Sequence, residues 1–118
     1  MGSVFCANCT CGYESEDLFL GGGMMNFHEV CNAPALCESC EEIILLNYLA
    51  PAPYRCSKCK REALFYDTPS LKGELLAKLP VFAWQVLGDK TFTLSDAYYA
   101  CPKCKQKNLR FYDVGSWD

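Results

Sequence analysis

The chain has 118 residues, 51% of them hydrophobic and 14% aromatic, and its 11 basic and 14 acidic side chains give a formal charge of −3. That length suits one compact domain or two very small ones, and the apolar content excludes a disordered chain. The longest apolar run, residues 79–87, is broken by Pro80 and Gln85 and falls short of the roughly 20 residues a membrane helix needs.

The N-terminus has no basic segment followed by an apolar one, so no signal peptide is read there. Cys6 stands where a myristoylation motif at Gly2 requires Ser or Thr. Residues 13–20 read as a strand running into a hairpin turn at Gly21-Gly22-Gly23, with residues 24–30 as the returning strand. Residues 43–49 are β-branched and Leu-rich, and Pro51 and Pro53 close them off as a turn or linker. One helix is expected over residues 70–79. Ser70 can cap it, Leu71, Leu75, Leu76 and Leu79 share a face, and Pro80 stops it. Gly73 weakens that helix by about 1 kcal/mol relative to Ala. Residues 81–87 and 91–94 are strands joined by Gly88-Asp89.

Ten Cys in 118 residues indicate either a disulfide scaffold or a metal protein. With no secretory signal, the expected compartment is the reducing cytoplasm, where thiols bind metal. The spacing agrees. The pairs are Cys9 with Cys11 (Cys6 also lies near), Cys37 with Cys40, Cys56 with Cys59, and Cys101 with Cys104. Each such knuckle can place two sulfurs on one ion, so four knuckles imply two sites with four thiolates each. The first knuckle offers three sulfurs. Gly12 after Cys11 suits a tight turn, which favours Cys9 and Cys11 and leaves Cys6 spare. Cys31 is expected to be a small buried hydrophobe. His28 could replace a thiolate, but eight Cys already satisfy two sites.

Which knuckles share an ion stays open. Residues 54–67 and 99–113 repeat one pattern, a knuckle followed by an aromatic-rich stretch, 45 residues apart. Sequential pairing keeps these two together and is the leading expectation. It divides the chain into a first module, 1–50, and a second, 54–118, carrying an insert at 69–98. The competing scheme joins Cys37/Cys40 to Cys56/Cys59 across a spacer of 15 residues, which leaves the first and fourth knuckles to meet. A cross-brace of first with third and second with fourth is the other possibility.

Charge is split along the chain. Residues 1–54 hold seven acids and no Lys or Arg, so residues 55–118 hold all 11 basic residues against seven acids, a net +4. Four thiolates on one Zn²⁺ carry −2, so two such centres would take the chain from −3 to about −7. An acidic protein is a poor general binder of phosphate backbones. Lys58, Lys60, Arg61, Lys103, Lys105 and Lys107 nevertheless crowd the last two knuckles. They are read first as neutralising thiolate charge and second as a nucleic-acid face. The aromatics beside them, Phe65, Tyr66, Phe111 and Tyr112, could then stack on bases, although core packing is the plainer role.

The knuckles resemble those of the zinc-ribbon and rubredoxin-like families, over a little more than half the chain. The resemblance implies a small mostly-β, metal-stabilised fold of two β-hairpin modules with at most one short helix. It also implies Zn²⁺, with iron the alternative. Cys11-Gly12-Tyr13 and the Cys-Pro-x-Cys of residues 101–104 are rubredoxin-like, whereas the Cys-x-Cys of the first knuckle and Lys60 and Lys105 after the later ones depart from that pattern.

Function is less sharply indicated, because ribbons serve many roles. Abundant Cys and a single His suit closed, structural sites, and Gly21-Gly22-Gly23 lacks the Lys and following helix of a nucleotide-binding loop. The leading expectation is a non-enzymatic cytoplasmic adaptor with a protein partner. No membrane attachment or small-molecule substrate is indicated. Nucleic-acid binding and rubredoxin-like electron transfer are the other two readings.

Overall fold

The computed structural model describes residues 2–22, 30–50, 53–85 and 91–117. Its strands are β1 (Gly2–Cys9), β2 (Leu18–Gly21), β3 (Asn32–Cys37), β4 (Glu42–Asn47), β5 (Leu64–Phe65), β6 (Lys72–Gln85), β7 (Thr91–Ala100) and β8 (Lys107–Trp117). They form one sheet in the order β4-β3-β2-β1-β8-β7-β6, with β5 paired to β3. Every pairing is antiparallel. The protein is thus a small mostly-β fold, as expected, and strands from residues 1–50 and 54–118 share its sheet through β1–β8 and β3–β5.

Alternation in the sequence sets which side chains go inside. In β1, Phe5 and Ala7 are buried; in β7, Phe92, Leu94, Ala97 and Tyr99 are. The core is rich in rings packed edge to face. Phe65 meets Tyr48 and Tyr54 at centroid distances of 4.9 and 4.7 Å, and Tyr66 meets Phe111 at 5.1 Å. That geometry sets the positive edge of one ring on the negative face of another.

The expected helix over residues 70–79 does not form. A 3-10 turn, Pro69–Leu71, leads straight into β6. Pairing with β7 takes the segment instead, with Lys72 opposite Tyr99 and Leu75 opposite Ala97, and a Cβ at Gly73 would make a tight 3.0 Å contact with Cβ of Lys107 that glycine avoids. Of the four leucines expected on one helix face, only Leu71 is buried. Pro80 is tolerated inside β6 because that strand lies at the end of the sheet.

Other expectations shift in extent. The strand read over residues 13–20 is confined to Leu18–Gly21, and residues 43–49 supply β4 at Glu42–Asn47. β6 and β7 form the expected hairpin, pairing Gln85 with Thr91, while its Gly88-Asp89 turn lies outside the described residues. The returning strand read over 24–30 falls almost wholly outside them, as does His28.

Candidate metal centres

Three of the knuckles share one hydrogen-bond pattern, and all four share a left-handed residue after the second Cys. The first Cys donates its N–H to a carbonyl beyond the turn: Cys56 to Arg61 O, Cys101 to Gln106 O and Cys9 to Tyr13 O, each at 2.9 Å. The residue after the second Cys returns a bond to the first. Lys60 donates to Cys56 O at 2.9 Å, Lys105 to Cys101 O at 3.1 Å and Gly12 to Cys9 O at 3.0 Å. That returning residue must turn left-handed. Gly12 (φ 100°), Glu41 (54°), Lys60 (64°) and Lys105 (65°) all do so, one after each knuckle. Glycine meets this need without strain, whereas the three charged residues carry a backbone cost of about 1 kcal/mol each.

Sheet register brings the knuckles together in pairs. β1 ends at Cys9, opposite Leu109 of β8, so the first knuckle lies beside the turn between β7 and β8, which is the fourth knuckle. Cys37 and Cys40 form the turn between β3 and β4. β5 sets Leu64 against Leu36 of β3, which carries the third knuckle alongside the second.

Two clusters result: Cys9, Cys11, Cys101 and Cys104, and Cys37, Cys40, Cys56 and Cys59, each with its sulfurs all within 4.8 Å of one another. Sequential pairing is therefore corrected. The repeated units 54–67 and 99–113 each supply half of a different cluster, because β1 pairs with β8 and β5 with β3.

The sulfur separations test what could sit inside. Cys9–Cys104, Cys11–Cys101, Cys37–Cys59 and Cys40–Cys56 are 3.6, 3.7, 3.5 and 3.8 Å apart. A disulfide needs about 2.05 Å, so these are not bridged pairs. Metal–sulfur bonds of about 2.3 Å in a tetrahedron set the sulfurs about 3.8 Å apart, close to what is found. Both clusters are consistent with metal-binding sites made wholly of thiols.

The backbone prepares part of each cluster for charge. Amide N–H groups of Cys59 and Lys58 aimed at Cys56 pull its thiol down to about 6, and the amide of Tyr13 pulls Cys11 down to about 7. Hydrogen bonding to the thiol of Cys37 pushes Cys40 up to about 12, and burial does the same to Cys101. Each cluster thus pairs a thiol that ionises readily with one that waits for a cation.

The remaining cysteines stand apart. Cys6 is half-buried with Sγ 3.5 Å from Ser15 O. Cys31 is fully buried, and burial pushes its thiol up to about 12.

Two of the basic candidates find acids of the second knuckle's turn. Lys58 pairs with Glu42, and Lys105 lies 3.8 Å from Glu41 while donating to Pro102 O at 2.7 Å. Lys60, Arg61, Lys103 and Lys107 are exposed. Phe65, Tyr66 and Phe111 are buried, leaving Tyr112 at the surface, 5.1 Å beneath the guanidinium of Arg110. The sequence reading missed Tyr13, whose hydroxyl accepts the N–H of Ile43 at 3.2 Å and so ties the first knuckle to the strand leaving the second. No local signal marked that contact.

Comparison with protein-family models, curated proteins and solved structures finds no match to this chain. No helix among the described residues is long and apolar enough to cross a membrane.

Proposed function

We propose that the chain is a zinc protein whose two four-cysteine centres are structural, and that it acts in the cytoplasm as a non-enzymatic adaptor for a protein partner. The observation that carries this reading is the pair of four-sulfur clusters, each with its sulfurs all within 4.8 Å of one another and two of the separations at 3.5–3.8 Å. Four thiolates close the coordination shell of Zn²⁺ and leave no position for water or substrate. When bound, the ion supplies cross-linking between distant segments. Cys9 and Cys11 would be joined to Cys101 and Cys104 across nearly the whole chain, and Cys37 and Cys40 to Cys56 and Cys59.

A protein partner is favoured over nucleic acid because Lys58 and Lys105 engage Glu42 and Glu41, and three of the four candidate stacking aromatics lie in the core. Metal binding and folding are then one event. Strong chelation should collapse the near-UV circular dichroism, and zinc should restore it. An unchanged tertiary signal in protein stripped of metal would refute the structural role. A salt-independent failure to bind single-stranded RNA or DNA is the matching expectation for the partner.

A further inference from the structure

We propose that β6 is a self-association edge that pairs antiparallel with β6 of a second copy of this chain about a two-fold axis at Leu76. β6 ends the sheet, with β7 as its strand neighbour on one side. Its register with β7 breaks between Leu75, opposite Ala97, and Pro80, opposite Ser95. Residues 76–79 therefore bulge out where β7 has only Asp96. The bulge and Leu75 just before it carry unusual side chains for a water-facing edge. Leu75, Leu76 and Leu79 are 50%, 41% and 79% exposed. Lys78, Pro80 and a bulge are common ways of blunting a sheet edge, but exposed leucines work against blunting and favour burial.

Charge identifies the occupant. Antiparallel pairing centred on Leu76 sets Glu74 opposite Lys78 of the second copy and Lys78 opposite its Glu74, with Leu75 opposite Ala77. The segment is thus complementary to itself in reverse, which a two-fold interface requires. Among the described residues no ion pair already engages Glu74 or Lys78. Pro80 has no N–H to donate and ends the paired stretch.

The test is sedimentation equilibrium of the full chain, loaded with zinc, at micromolar to millimolar concentration. The expected mass is twice 13.2 kDa. L76D should give monomer. E74K and K78E should each weaken the dimer about tenfold, since two attractive contacts become repulsive. The double variant E74K/K78E should restore it, and mixing the two single variants should give a heterodimer. Near-UV circular dichroism and metal content confirm that each variant is folded; should L76D not fold, the charge variants carry the test. A wild-type monomer throughout the range, or a double variant no tighter than the singles, would overturn the proposal.

Discussion

The hydroxyl of Tyr66 donates to the carbonyl oxygen of Ala100 at 2.9 Å, spanning 34 residues of sequence. Tyr66 follows the strand that leaves the third knuckle, and Ala100 immediately precedes the fourth. This one bond therefore links the halves of two different cysteine clusters. The ring also packs edge-on against Tyr99 and Phe111. Tyr66→Phe keeps the ring and removes the bond, leaving Ala100 O without it. Stability of the metal-loaded protein should fall by about 1–2 kcal/mol, with both metals retained. Denaturant unfolding reads the loss; stability equal to wild type would show that the bond contributes nothing.

The left-handed residue after each knuckle gives substitutions of opposite sign. Lys60→Gly relieves backbone strain and should stabilise by about 0.5–1 kcal/mol, whereas Gly12→Ala should destabilise by about 1–2 kcal/mol. No atom lies within 4 Å of where a Cβ on Gly12 would sit, so that cost is one of conformation and not of crowding. Thermal unfolding of the two variants checks the signs, and a shift in the same direction for both would contradict the turn geometry.

Thiol protection reports which knuckles share an ion. In the zinc-loaded protein Cys6 should be alkylated first and Cys31, fully buried, hardly at all. The variant Cys56→Ser/Cys59→Ser should expose Cys37 and Cys40 while leaving Cys9, Cys11, Cys101 and Cys104 protected. Mass spectrometry of the alkylated peptides decides it; exposure of Cys101 and Cys104 instead would restore sequential pairing.

Metal affinity should fall with pH, and the fall should steepen below about 6. Cys56 is held down to about 6 by the amides of Cys59 and Lys58. Its depressed value means that its contribution is complete above the ordinary thiol value of 9.0 and is lost as pH falls through about 6. Below that point one more proton must leave for each ion bound at its cluster. Competition against a chromophoric chelator from pH 5 to 8 measures this, and a slope unchanged across pH 6 would contradict it.

Much of the fold was legible because cysteine spacing and alternation are local. Gly12 marked the first knuckle's turn, and Phe92 and Leu94 show the period of two that puts them inside. The grouping found was among the sequence alternatives, on the 15-residue spacer between Cys40 and Cys56, but the choice was not legible, since it follows from β1 lying against β8 and β5 against β3, pairings no window of sequence contains. The repeat of Tyr54 and Tyr99 with their knuckles suggested one symmetric site, yet each copy completes a separate cluster. Leu71, Leu75, Leu76 and Leu79 match a helix period, but pairing with β7 takes that segment as a strand. Glu41 was hidden for another reason. Its side chain gives no hint of a left-handed backbone, and only its place after Cys40 does.

Eight cysteines in two clusters should hold two ions, and the metal-to-protein ratio measures that number. Elemental analysis of protein purified without added metal should find two zinc per chain and negligible iron. A ratio below one, or iron in place of zinc, would rule out two structural zinc centres.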